Sequence, residues 1–392
     1  MKRSFAIAFL PALLPVFFSC GQRVSGSFEP VGYVRQIIQD TTGHDYKMIR
    51  LFHPASSNGS ITVIGEPEES IFLSERFLTA DRVVNITGRP GTDQLPDFAG
   101  ETVAAFLDEA NAPYSGFLGG REASLREALV REAVFSLDTV SRINTFNADA
   151  TMPKLPAKVI VLASTLTSSY GHPDVDTLFK MASRKIPVVV PAETMMARAF
   201  DEAPKMLNVG VWTDETVLSA GVFQTAFRKR AAASPQVQAT LNIFAPDPEG
   251  DLGNRFLNYL DKYLRGGTGF PLSVLLLDDY GIDLERLQEV LDEIRRMETP
   301  EMVGYNKMLA PDFRFVDITE TTLSEVYHLL RARNLFTHNI AYPKLDVYQT
   351  AATETGFVLV HSGEGNVASK TLEFVRENTT QASKYYAVQG KH

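Results

Sequence analysis

Lys158-Val-Ile-Val-Leu-Ala163 is a short, apolar, β-branched run, and it opens the stretch whose pattern decides how this chain folds. The polar segment Ser164-Thr-Leu-Thr-Ser-Ser-Tyr170 follows as a loop. Residues 174–183 then place Val175, Leu178, Phe179 and Ala182 at helical spacing. Ile186-Pro-Val-Val-Val190 is a second apolar strand, and residues 195–203 are a second helix. Asn208-Val-Gly-Val-Trp212 is a third strand, and residues 215–230 are a third helix. Apolar strands of this length alternating with amphipathic helices predict βαβ units on a parallel sheet covered on both faces. The expected fold class is therefore α/β, with doubly wound parallel sheets.

The flanks extend the same alternation. On the amino side, residues 34–38 read as a short helix, 45–52 as a strand, 60–64 as a better strand and 68–78 as a helix. Asp81-Arg-Val-Val-Asn-Ile86 reads as a strand ending in a Gly/Pro loop. That loop leads to a helix over 97–110, with Asp97 as its N-cap. Residues 123–138 are amphipathic, and 139–157 form a connector. On the carboxyl side, strands are expected at 240–244, 272–277, 313–317 and 356–360, and helices at 252–264, 282–297, 323–333 and 368–376.

A chain of 392 residues exceeds the usual single core and predicts two lobes. The expected division is 31–205 for the first lobe and 206–345 for the second, with 346–392 a candidate return to the first. Asp and Glu number 47 against 38 Lys and Arg, a formal charge of −9, and no basic stretch interrupts the chain. That balance excludes nucleic acid as a partner.

The amino terminus has its own logic. Met1-Lys-Arg3 is positive, residues 4–18 are apolar with Pro11 and Pro15 inside, and Cys20 is the sole cysteine. The pattern is that of a secretory signal over 1–19. Phe17-Phe18-Ser19-Cys20 resembles the lipobox of bacterial lipoproteins, with Phe17 where leucine is usual. The resemblance implies lipidation at Cys20, a tether over 20–30, and a periplasmic-side position in the bacterial cell envelope with the membrane as partner. A lone cysteine also excludes an intramolecular disulfide.

Ligands of open parallel sheets bind beyond the carboxyl ends of the strands. The expected binding set is accordingly Ser164, Thr165, Ser168, Tyr170, Glu193, Asp214, Asp278, Asp279 and Tyr280. It is rich in hydroxyls and carboxylates and suits a small polar ligand, sugar- or nucleoside-like. Asp278-Asp279 follows the most apolar strand in the chain, Leu272-Ser-Val-Leu-Leu-Leu277. These two acids either face a ligand or a cation, or sit beside Asp283 at the start of the next helix and favour its positive end.

No catalytic residue is assigned. There is no Gly-x-Ser-x-Gly elbow, and His172 after the serine-rich segment reads as a surface histidine. The seven histidines show no HxxxH or HxH spacing, so no metal site and no cofactor are expected.

The stretch 158–230 resembles the type I periplasmic binding protein superfamily, the sugar and basic-membrane-protein receptors among them. The match rests on Ile186-Pro-Val-Val189 and on Asp214 followed by Leu218-Ser-Ala-Gly-Val222 and Ala226. The resemblance implies two lobes closing on a solute, with the 164–170 loop, Glu193 and Asp214 in the cleft. A transport permease would be the partner of such a receptor. The function expected is a membrane-anchored lipoprotein that binds a small polar solute without catalysis. Two alternatives stay open: a hydrolase of sugars or nucleosides using Asp278, Asp279 or Asp214 as acid and base, and a structural or assembly lipoprotein with a vestigial cleft.

Overall fold

The computed structural model describes residues 28–366 apart from 202, 248, 267, 268, 340 and 355. The segment around Cys20 and the helix expected over 368–376 lie outside the described residues.

Two short helices, α1 (Gly32–Gln39) and α2 (His44–Leu51), lead into β1 (Ser60–Gly65) and α3 (Pro67–Thr79). A small hairpin of β2 (Val83–Val84) and β3 (Arg89–Pro90) precedes β4 (Thr102–Leu107) and α4 (Glu122–Leu137). Short strands β5 (Val140–Arg142) and β6 (Thr151–Pro153) come before β7 (Ala157–Leu162). Next are α5 (Thr165–Tyr170), α6 (His172–Met181), β8 (Val188–Val189) and α7 (Pro191–Phe200). Strand β9 (Met206–Trp212) is followed by α8 (Glu215–Ala220), α9 (Val222–Ala233), β10 (Gln238–Phe244) and α10 (Leu252–Gly266). Then come β11 (Leu272–Leu277), α11 (Leu284–Arg296), α12 (Pro300–Lys307), β12 (Leu309–Asp317) and α13 (Ile318–Ala332). The last described elements are β13 (Lys344–Thr353) and β14 (Gly356–Asn366).

Two sheets carry the molecule. The first runs β6-β5-β14-β13-β4-β1-β7-β8, and the second runs β10-β9-β11-β12. All pairings in the second sheet are parallel. Alternate strand residues point to opposite faces, so each sheet feeds two cores. Ile61, Val63, Val159 and Val161 of the first sheet share one core with Val209, Val211, Val274 and Leu276 of the second. Helices α3, α7, α9 and α13 fill the space between them with Phe77, Met195, Phe223 and Val326. The opposite face of the first sheet packs Ile64, Phe106 and Ile160 on α1, α4 and α6. The opposite face of the second packs Leu275 and Leu277 on α10 and α11. The α/β class with doubly wound sheets is therefore as expected, in five alternating layers.

Several elements differ from expectation. Thr102–Leu107 is a strand at the centre of the first sheet, not part of a helix over 97–110. Its alanines favour a helix locally, but pairing with β1 on one side and β13 on the other overrides that preference. Asp97 caps nothing; its carboxylate accepts from the backbone N–H groups of Arg82 and Val83. Residues 44–51 form a helix, although Tyr46 and Met48 alternate as in a strand. The strand expected over 81–86 shrinks to two residues. The loop expected over 164–170 is α5. The third helix of the opening stretch breaks at Gly221, whose φ of 69° is left-handed. The first sheet is mixed, because β14 pairs antiparallel with β13, a strand the sequence reading did not place. Among the described residues no helix is long and apolar enough to cross a membrane.

Candidate active site

The carboxyl ends of β1, β7, β9 and β11 converge on a cavity of about 420 Å³ between the two sheets. The first sheet brings Glu68, Glu69 and Phe72 from α3 and Thr165 from α5. The second brings Trp212, Thr213 and Asp214 after β9, the Asp278–Gly281 turn after β11, and Arg255 from α10. Strand ends that would spread apart if bulky are kept close by Gly65. A Cβ there would stand 2.9 Å from the Ser164 backbone nitrogen.

Asp278 is the centre of this arrangement. The Thr165 hydroxyl donates to its Oδ1 at 2.5 Å, and the Thr213 hydroxyl donates to its Oδ2 at 2.6 Å. One donor comes from each lobe. Burial pushes the Asp278 carboxyl up to about 6; the two hydroxyls pull it down, and the charges of Asp214 and Asp279 push it further up. Nearby Tyr280 donates its hydroxyl to the Ala163 carbonyl at 2.6 Å, fastening the second lobe to the end of β7.

Two more acids stand on the first-sheet wall. Burial raises Glu69 well above the usual carboxylate range, and the charges of Glu66, Asp278 and Asp214 raise it further. Its Oε2 is buried without a hydrogen-bond partner. Glu66 accepts from the Tyr114 backbone N–H at 3.0 Å and from the Ser164 hydroxyl at 3.4 Å, and burial raises it as well. Behind Glu66, Asp108 accepts from Thr350 and Asn111, and burial beside Asp108 raises Glu132.

The cavity also holds a cation. The Arg255 guanidinium stacks over the Trp212 ring at 5.1 Å, and its Nε is buried without a partner. Among the described residues it forms no salt bridge.

Of the residues expected from sequence, Thr165, Asp214, Asp278, Asp279 and Tyr280 line this cavity together. Ser164 stands just behind it on Glu66. Asp214 is also a helix cap, accepting from the N–H groups of Thr216 and Val217. Asp279 accepts from the Gly281 N–H inside its own turn. Ser168 and Tyr170 do not reach the cavity; Tyr170 lies further along α5, packed on the central core. Glu193 opens α7 beyond the edge strand β8 and lines a different groove of about 930 Å³. There it pairs with His172 at 3.5 Å and Lys229 at 2.5 Å, and the His172 contact first, then Lys229, lower its pKa to about 2 against the effect of burial.

Glu66, Glu69 and Arg255 were not among the expected residues. Glu66 carries the same signal as Asp278, an acid directly after a fully buried strand, but it and Glu69 read as ordinary acids at the start of a helix. Arg255 gives no local signal, since it is one polar residue in an amphipathic helix.

A carboxyl raised to about 6 beside one that burial raises further is the kind of pair whose environments push two acids toward different roles. The cavity has no thiol among the described residues.

No family model matches the chain, and no curated protein does. Among solved structures it is similar to the glutamate racemase isoform RacE1 from Bacillus anthracis, at 13% identity and a TM-score of 0.47, over 76% of this chain and 90% of that one. It is similar to the glutamate racemase from Francisella tularensis in complex with D-glutamate, at 16% identity and a TM-score of 0.45, over 76% and 91%. An aspartate racemase homologue from Pyrococcus horikoshii matches at 10% identity and a TM-score of 0.35, over 70% and 99%. Likeness at this level carries no activity across. The neighbours are racemases and not periplasmic binding proteins, which corrects the resemblance expected over 158–230. The functional readings as a solute-binding lipoprotein, a sugar or nucleoside hydrolase and a vestigial assembly lipoprotein are corrected with it. The physical reason lies in the motif itself. Ile186-Pro-Val-Val189 supplies only a two-residue edge strand, Asp214 is a helix cap, and Gly221 is a helix break. Each is general α/β chemistry rather than a family signature.

Proposed function

We propose that this protein is an acid–base enzyme that moves a proton on a small zwitterionic substrate of the amino-acid class. The observation that carries this reading is Asp278, held by hydroxyls from both lobes and titrating at about 6. Such a group is mostly ionised at neutral pH yet basic enough to accept a proton. Glu69, which burial raises well above the usual carboxylate range, is the matching donor. The lining has one cation, Arg255, against the acids Glu68, Asp214 and Asp279. A substrate with both charges fits that wall. Its carboxylate pairs with Arg255, and its ammonium faces the acids. In the proposed step Asp278 removes a proton from the substrate carbon next to the carboxylate. The electron pair delocalises into the carboxylate held by Arg255, and a carboxyl group in the cavity returns a proton to the carbon.

The test is exchange of carbon-bound hydrogen in D2O, followed by NMR across a panel of amino acids. The wild-type chain is expected to deuterate at least one member of the panel. Asp278→Asn and Glu69→Gln are each expected to slow that exchange by about 10²–10⁴-fold. Wild-type protein that exchanges no member, or variants that exchange at the wild-type rate, would sink the proposal.

A further inference from the structure

The β13–β14 hairpin, away from the cleft and covered on one side by the α4 layer, gathers three ligand-type side chains. In its register Asp346 lies opposite Glu364, and Tyr348 lies opposite His361. One residue separates the pair on β13 and two separate it on β14, and a register shift at Val347/Tyr348 absorbs the difference. Residues three apart on a regular strand point to opposite faces. The bulge turns His361 onto the face shared by Asp346 and Glu364. One ligand atom from each of the three lies within 4.8 Å of the others.

Among the described residues these groups have no other occupation: no donor hydrogen-bonds to either carboxylate, and the imidazole makes only an edge contact with the Tyr348 ring, at 5.2 Å. Asp346 and His361 are half-buried, and Glu364 is exposed. Burial raises Asp346, and the charge of Glu364 raises it further, so the two acids repel each other. The basic side chains that face Asp346 are His361, Lys344 and Lys154. Lys154 is already committed to the carbonyls of Ser136 and Leu155, and burial lowers it to about 7. Lys344 is exposed at the strand end.

We propose that Asp346, His361 and Glu364 bind a divalent first-row transition cation such as Mn²⁺ or Zn²⁺. One imidazole and two carboxylates are the nitrogen and oxygen donors these ions take, and the imidazole favours them over Mg²⁺ or Ca²⁺. A bound ion removes the repulsion between Asp346 and Glu364 and ties β13 to β14. The site is independent of the cleft chemistry.

The test is titration of metal-free full-length protein with MnCl₂, read by EPR, and with ZnCl₂, read by calorimetry. One ion per chain is expected, with Kd weakened at least about tenfold by His361→Ala and by Glu364→Gln. Glu364 is exposed, so its amide variant keeps the fold even if His361→Ala does not. Wild-type protein that binds neither ion, or binding unchanged in the Glu364→Gln variant, overturns the site.

Discussion

Asp278 concentrates the tension between stability and chemistry in one side chain. Its folded pKa of about 6 lies above the value near 3.9 of a free aspartate. Between about pH 4 and pH 6 the folded chain holds a proton that the unfolded chain releases, so stability falls as pH rises through that window. A shift of this size corresponds to about 3 kcal/mol lost at neutral pH. Asp317 caps α13 by accepting from the Glu320 N–H, and burial raises it to about 6, so it acts in the same window and direction. Replacing Asp278 with Asn removes one of the two terms while Thr165 and Thr213 keep an amide to bond. The variant is expected to be more stable than the wild type at pH 7, to lose that advantage near pH 4, and to exchange as slowly as predicted above at pH 7. Urea unfolding at pH 4, 5.5 and 7 measures it; an advantage that stays constant with pH would show that Asp278 does not titrate there. The sequence made Asp278 legible because an acid directly after a fully apolar strand has few reasons to be there. Arg255 was illegible because its significance is the Trp212 ring beneath it, on a different element.

At the scale of the element, the site depends on how closely strand ends approach. The end of β1 bonds across to both neighbours: Ala163 N–H donates to the Ile64 carbonyl at 2.8 Å, and Asp108 N–H donates to the Gly65 carbonyl at 3.0 Å. A side chain at 65 has no room. Its Cβ would meet the Ser164 nitrogen at 2.9 Å and the Ser70 hydroxyl at 3.2 Å. Gly65→Ala is therefore expected to cost about 1–3 kcal/mol and to weaken the proposed exchange, since Ser164 and Thr165 move with β7. Chemical denaturation of the variant measures the first effect, and an unchanged midpoint would mean the strand ends tolerate spreading. Thr102–Leu107 depends on its neighbours in the same way. Its apolar run fits either a strand or a buried helix turn, and neighbours from 60–65 and 344–349 decide between them.

At the scale of the whole molecule, one buried ion pair joins distant segments. Lys158 Nζ lies 2.5 Å from Glu101 Oε2, with the two side chains 3% and 1% exposed. The lysine also donates to the carbonyls of Ser57 and Leu335, and Glu101 accepts from the Thr337 N–H. The start of β7, the approach to β4 and the segment after α13 are thereby held at one point. Burial raises Glu101 and lowers Lys158, and each charge partly offsets the shift of the other. Such a pair adds little net stability, yet breaking it strands a charge. Lys158→Met is expected to cost about 3–5 kcal/mol, and adding Glu101→Leu is expected to recover most of that. Unfolding free energies of the single and double variants measure the coupling; additive losses would show that the pair is not a unit.

The α/β class followed from local pattern alone, because a buried strand must be apolar along its length and a covering helix must be apolar along one stripe. The acids after β11 were visible for the same reason, as polar residues where an apolar run stops. Tertiary structure decided the rest. It inserted Thr102–Leu107 into the sheet, returned the chain as β13 to complete it, and sent Glu193 to another groove. It also set Glu69 opposite Asp278, and His361 beside Asp346 despite the absence of any histidine spacing motif. Strand order, lobe juxtaposition and bulges join residues far apart in the chain, and no window of sequence contains the energy of a contact between them.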